Sequence, residues 1–191
     1  LRPGEGLRDS GGLWAYRGVR ADFESLPDGF GRESGNGSDR LLHVFDVFLH
    51  NPDEIEKDYS WYVRGRDGRA PGAATVVLGD RRLDNGLPSL FIEEGAVVEG
   101  AVINVKDGPV YIGRNVQVME GSCLRGPLAV CADAKVRMGA KIYGGTTIGP
   151  FCKVGGEVDN TVFFGFSNKA HDGYLGNAVI GELSLIHISE P

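Results

Sequence analysis

Cysteine, methionine, tryptophan and histidine are all scarce in this chain of 191 residues, and it has neither a block of one charge sign nor a long apolar run. The three cysteines, Cys123, Cys131 and Cys152, are odd in number and form no CxxC pair, so neither a disulfide framework nor a zinc site is indicated. No stretch reaches the roughly 20 apolar residues that cross a bilayer, and no charged-then-apolar segment opens the chain, which gives no membrane partner and makes the cytoplasm the default compartment. Twenty basic side chains against twenty-six acidic ones give a net charge of −6 and a pI near 5.2. That balance argues against nucleic acid as a partner and leaves room only for a local phosphate pocket.

What the chain has in excess is glycine, 30 of 191 residues and about twice the usual share, which implies many tight turns. It also has a period. Ile112, Val118, Leu124, Val130, Val136, Ile142, Ile148 and Val154 place an aliphatic residue at every sixth position. Ile, Leu and Val are 44 of 191 residues, so eight such hits arise by chance in only about 0.1% of chains of this length and composition. Six fits neither the 3.6 period of a helix nor strand alternation. It fits a hexapeptide β-helix, in which three short strands complete one triangular coil. The aliphatic residue points inward, and small residues four places later, such as Ser122, Ala134, Ala140 and Thr146, fit the corners. Gly121, Gly126, Gly139 and Gly145 allow positive φ at turns. Ile92 and Val98 start the pattern, with a phase slip of two residues before Ile112 that predicts a bulged corner in INVKDGP. The expected class is all-β, a left-handed parallel β-helix over residues 90–182. Hexad helices coil against the usual right-handed crossover rule, and they commonly associate as homotrimers with clefts between subunits.

The rest of the chain reads differently. Residues 1–40 are loop-rich, end in the linker-like GRESGNGSDR, and are expected to be the remnant of an upstream domain; SGGLW within them reads as a turn. Residues 41–89 are expected to supply a connecting strand, a helix and a loop. Leu41 to Asn51 is apolar enough to be buried, and Asn51, Pro52 and Glu54 form a helix-start signature, after which Ile55, Tyr59 and Tyr62 share a face. RGRDGRAPG (Arg64 to Gly72) reads as a solvated connector, with phosphate binding as the alternative. LSLIHISEP (residues 183–191) resembles a translated sequencing-library adapter, so His187 is no site candidate.

After Val154 the in-phase positions are Asn160, Phe166 and Asp172, and the aliphatic code lapses until LGNAVIG. A repeat that stacks only on its neighbours accepts an insertion as a loop pushed from one corner. SNKAHDGYLG (Ser167 to Gly176) lies in that lapse. An imidazole there suits proton abstraction near neutral pH, Lys169 can meet a phosphate as a point charge, Asp172 or a backbone carbonyl can orient the ring, and Asn168 and Asn177 offer amide contacts to hydroxyls.

AKIYGGTTIGPFCKVGGEV followed by SNKAHDGYLGNAVIG resembles the C-terminal β-helix of the GlmU-like family, bifunctional glucosamine-1-phosphate acetyltransferases and N-acetylglucosamine-1-phosphate uridyltransferases. It is similar in particular to a divergent bacterial branch of sugar nucleotidyltransferases. The resemblance implies that His171 is the catalytic base that deprotonates the acceptor amine for attack on acetyl-CoA, and that Tyr174 contacts the sugar phosphate, with Ser167 and Leu175-Gly176 framing them. It implies acetyl-CoA as acyl donor, a sugar phosphate or nucleotide sugar as partner, Mg2+ only for the uridyltransferase domain, and residues 1–40 as a nucleotidyltransferase-like remnant. Where family members carry an arginine after I-G-P-F this chain has Gly155, and twelve residues before the histidine it has Asp159 in place of a lysine. The fragment also lacks the nucleotide signature and the later coils that hold acetyl-CoA, so alone it is expected to be inactive.

Two other readings use the same coil. A β-helix can serve only as a trimerising or regulatory scaffold for a nucleotidyltransferase. A γ-class carbonic anhydrase needs three zinc-binding histidines, and His171 is the only one between His50 and the tail.

Overall fold

The computed structural model describes residues 41–184, together with the backbone of three short strands nearer the N-terminus. Those strands belong to a separate compact unit, residues 1–42. There β1 (Gly6–Asp9) pairs antiparallel with β2 (Gly12–Tyr16), Asp9 facing Gly12, and parallel with β3 (Arg32–Glu33). Of SGGLW, Gly12 to Trp14 lie in β2, and Ser10 and Gly11 fall outside the described residues. GRESGNGSDR lies outside the described residues apart from β3, and so do residues 185–191.

The second unit is a left-handed parallel β-helix of about five turns with one helix against it. Its first face stacks β4 (Val76–Leu78), β7 (Val102–Asn104), β10 (Cys123–Arg125), β13 (Lys141–Ile142), the start of β16 (Glu157–Phe163) and the start of β18 (Tyr174–Ile180). The second stacks β5 (Leu90–Ile92), β8 (Val110–Ile112), β11 (Leu128–Val130), β14 (Thr146–Ile148) and the ends of β16 and β18. The third stacks β6 (Val97–Val98), β9 (Gln117–Val118), β12 (Lys135–Val136), β15 (Lys153–Val154) and β17 (Asn168–Lys169). The β-helix thus begins at Val76, earlier than residue 90, because β4 pairs with β7 without carrying the hexad code.

All eight hexad residues from Ile112 to Val154 are buried, as are Ser122, Ala134, Ala140 and Thr146 four places after theirs. Each fully buried Ile, Leu or Val contributes about 1.5–3 kcal/mol, so this column is the main stabilising element of the fold. Gly121, Gly139 and Gly145 turn their corners at φ near +70°. Gly126 has a different reason to be glycine: a Cβ there would overlap the carbonyl of Gly108 in the coil below.

The phase slip has two parts. Leu124 pairs with Ile103 in the coil before it and with Ile142, three full hexads on, in the coil after it. The step from Ile103 is longer than three hexads, and its three extra residues lie between β7 and β8 as the bulged corner. One residue fewer between Val98 and Ile103 leaves a net slip of two. The later lapse is the opposite kind of event. Ile142 pairs with Val158, two residues short of three hexads, and Val154 pairs with Lys169, three residues short. Corners are shortened here and nothing is inserted. Once three residues are removed, Phe163, Lys169 and Leu175 resume the inward track at spacings of six, and all but Leu175 are fully buried.

One helix, α1 (Asp46–Tyr62), packs on the second face. It starts before the expected site: the N–H of His43 donates to Oδ2 of Asp46 at 2.8 Å, and Pro52 lies inside the helix. Leu41, Leu42, Val44, Phe45 and Leu49 are exposed, so no buried strand precedes it. Asn51 is taken up by the solenoid, its Nδ2 donating to the Gly145 carbonyl at 2.6 Å and its Oδ1 accepting from Thr147 at 2.8 Å. Ile55 and Tyr59 are buried, and Tyr59 donates to the Pro88 carbonyl at 2.6 Å. Tyr62 remains partly exposed, edge-on to Tyr111 at 5.5 Å.

Arg64 to Gly72 is more than a connector: the amides of Arg69 and Gly72 donate to the carbonyls of Ile92 and Val98, so the segment runs along the first coil. Arg66 and Arg69 pair with Glu93 and Glu94 at 2.6 and 2.8 Å, which directs these cations to the protein's own carboxylates. Among the described residues no helix is long and apolar enough to cross a membrane.

Candidate functional site

SNKAHDGYLG forms strand β17, a corner and the start of β18. The corner from Lys169 to Leu175 spans six residues, as does the one from Val136 to Ile142, so His171 sits on a coil corner of ordinary length. Gly156 and Gly173 continue the glycine edge of Gly121 and Gly139, at φ of +73° and +119°.

Lys169 occupies the inward position of this coil and is 3% exposed. Its Nζ donates to three carbonyls, those of Gly155, His171 and Gly173, each at 2.9 Å. Burial lowers its pKa, and the nearby Asp172 carboxylate acts in the opposite direction. The ammonium expected at a substrate phosphate is therefore turned into the coil, where three acceptors offset part of its desolvation. The Gly155-Gly156 pair makes this cradle possible. A Cβ on Gly155 would stand 2.7 Å from the Ala170 carbonyl, and one on Gly156 would stand 2.8 Å from the carbonyls of His171 and Gly173 and 2.9 Å from Lys169 Nζ. An arginine in place of Gly155 does not fit this shortened corner.

His171, Asp172 and Tyr174 are exposed on the outside of the corner. Tyr174 leans across Gly176, where any Cβ would overlap its hydroxyl, toward Asp159. Partial desolvation of the ring, followed by the carboxylates of Asp159 and Glu157, raises the pKa of its phenol. Glu157 is in register with Tyr174 above and Lys141 below, with Lys141 Nζ at 3.8 Å from its carboxylate. Hexad spacing gives no sign of this Lys141–Glu157–Tyr174 row, because the row depends on two successive coils that fall short of three hexads, the first by two residues and the second by one.

The remaining candidates point elsewhere. Asn177 turns the next corner at φ +48°, and its Oδ1 accepts from Nδ2 of Asn160, itself at φ +42°, at 2.8 Å. This pair is a corner ladder, with left-handed asparagines where the coil below has Gly145. Asn168 lies beside Lys153 in β15, its amide donating to the Ser184 carbonyl and its Oδ1 buried without a hydrogen-bond partner. Ser167 is buried, its hydroxyl donating to the Gly181 carbonyl at 2.7 Å. The structure thus leaves His171, Asp172 and Tyr174 exposed on the outside of one corner, turns Lys169 into the coil beneath it, and commits Asn168 and Asn177 to other positions.

A concavity of about 480 Å³ lies between α1 and the second face and is lined by Ile55, Tyr59, Tyr62, Tyr111, Cys131 and Thr147 among others. Burial raises the Cys131 thiol to about 11, which makes it a poor nucleophile. Among the described residues no group of three His, Cys, Asp or Glu side chains gathers to hold a metal ion. No protein-family model matches the chain, and no curated protein matches it.

Proposed function

We propose that the β-helix is the acetyl-transfer module of a bifunctional sugar nucleotidyltransferase and acetyltransferase, carrying acetyl from acetyl-CoA to the amine of an amino-sugar-1-phosphate. The whole protein would act as a cytoplasmic homotrimer in UDP-N-acetylglucosamine-type nucleotide-sugar synthesis. The observation that supports this most is the corner itself. A segment of ordinary coil length turns only Lys169 and Leu175 inward and presents His171, Asp172 and Tyr174 together on the outside. An imidazole placed there can take a proton from the acceptor amine as the nitrogen attacks the thioester carbonyl carbon. The C–S bond breaks, the amide is formed, and CoA leaves as its thiol on receiving a proton. Such a base typically contributes about 10² to 10⁴ in rate. The test is acetyl transfer to glucosamine-1-phosphate by the full-length protein and by His171→Ala. A loss of two or more orders of magnitude supports the reading, and an unchanged rate removes His171 from the chemistry.

A second reading, a nucleotidyltransferase whose β-helix only trimerises or regulates, is favoured by one feature. Asp159 and Glu157 set negative charge beside Tyr174, where a sugar phosphate would be held. Uridyl transfer by the full-length protein without any acetyl transfer would establish it, and Mg2+ would then serve the nucleotidyltransferase part alone.

A further inference from the structure

Among the described residues Lys169 is the only charged side chain that is buried, and its placement ties two successive coils together. Gly155 is in the corner after β15, and His171 and Gly173 are in the corner after β17 directly above it. We infer that Lys169 is a positioning residue: a tethered cation whose ammonium sets the conformation of the His171–Gly173 turn, and with it the orientation of the imidazole. This goes beyond the acetyl-transfer reading and holds whatever acceptor the corner meets.

Three features carry the inference. All three protons of the ammonium have an acceptor at 2.9 Å, a full complement for the group. The two glycines that leave space for it, Gly155 and Gly156, could not carry side chains without striking backbone carbonyls of the corner above. The aliphatic stem continues the inward column over Val154, so the same side chain satisfies the core and the turn. A methionine would fill the column equally well and leave three carbonyls facing one another with no donor between them. Such crowding of like partial charges would push the turn open.

The amide of Glu157 donates to the Gly173 carbonyl at 3.1 Å and so reports on the turn, whereas the amides of Lys135 and Arg137 donate to Cys152 and Val154 one coil below. In Lys169→Met, hydrogen exchange at Glu157 is expected to speed by about tenfold or more with Lys135 and Arg137 unchanged, the loss of roughly one net hydrogen bond to a charged group. The NMR resonances of the His171 ring are expected to move with it, as the backbone that carries the imidazole shifts. In Lys169→Ala, n-propylammonium should restore Glu157 protection, while tetramethylammonium, which has no N–H to donate, should not. Unchanged exchange at Glu157 in Lys169→Met overturns the inference. If the variants do not fold, reductive methylation of the native protein decides. Lys57, Lys106, Lys135, Lys141 and Lys153 are exposed and should react, while Lys169 stays unmodified; methylation of Lys169 at the rate of the others overturns it.

Discussion

Lys169 pairs in register with Val154, so that an ammonium-bearing side chain stands on a column that is aliphatic in every coil from Val98 to Val154 on that face. The same face therefore changes from a packing column to a support for the corner above it within one coil. The consequences for stability and activity can be measured coil by coil.

The inward column sets the stability of the solenoid. Ile142, 2% exposed, packs between Leu124 and Val158 in the stack. Ile142→Ala is expected to cost about 2–5 kcal/mol in urea unfolding. Met138→Ala, at a position 66% exposed, should stay within about 0.5 kcal/mol.

Two glycines on one edge separate the cost of backbone strain from the cost of collision. Gly139 and Gly156 have nearly the same φ, +69° and +73°, but nothing lies within 4 Å of a Cβ on Gly139, while one on Gly156 meets three atoms of the Lys169 cradle at 2.8–2.9 Å. Gly139→Ala is expected to cost about 1 kcal/mol from the left-handed conformation alone. Gly156→Ala should cost at least twice as much, as thermal denaturation of the two variants will show.

Phe151 and Phe166 also turn corners at φ near +60°, half exposed, with rings stacked at 4.9 Å and 6° between planes. Left-handed backbone costs a bulky residue about 1–2 kcal/mol, and the aromatic pair returns about 0.5–1.5 kcal/mol. These nearly cancel. Phe151→Gly should therefore leave the Tm within a few degrees of the parent; a drop of more than about 10 °C would mean the stack is worth more than this.

Burial holds the Tyr59 phenol above its ordinary pKa of 10.0. The folded state keeps a proton that the unfolded chain releases, so this contribution is fully present below pH 10 and is lost as the pH rises above it. Unfolding free energy measured between pH 9 and 11 should fall at the alkaline end, with Tyr111, also raised by burial, adding to the slope. Tyr59→Phe should flatten that fall and cost about 1 kcal/mol at pH 7 through loss of the bond to Pro88.

If the acceptor is a sugar phosphate, Asp159→Lys exchanges a repelling charge for an attracting one. A partly screened pair near 4 Å is worth between about 1 and 4 kcal/mol. The kcat/KM for glucosamine-1-phosphate should rise by about tenfold, mostly through KM. An unchanged value would place the acceptor elsewhere.

The solenoid can be read from the sequence because eight hexads from Ile112 to Val154 keep one period, and a period survives any detail of packing. The corner that carries His171 is legible in its composition but not in its form. Removing residues at Gly155-Gly156 and again before Phe163 shifts the phase by three, and a shortened corner and an inserted loop both appear in sequence as a missed beat. Only pairing distinguishes them. Lys169 is hidden for a related reason: a lysine in a polar-looking stretch gives no sign that it has fallen on the inward track. Asn51-Pro52 carries the signature of a helix start yet lies within α1, because the Asn51 side chain is used on Gly145 and Thr147 of the solenoid.

The unequal coil lengths have a consequence for how the chain finds its fold. A solenoid of identical coils can slide by one whole turn and still bury aliphatic on aliphatic. Along the first face the inward residues pair as Ile103 with Leu124, Leu124 with Ile142, Ile142 with Val158 and Val158 with Leu175. Each of those coils differs in length from the one before it. Any slide by a coil sets a long turn over a short one and moves Lys169 under a neighbour that has no carbonyl cradle for it. The irregular corners therefore work as a key: among many near-equivalent stackings, they leave one in which every coil closes.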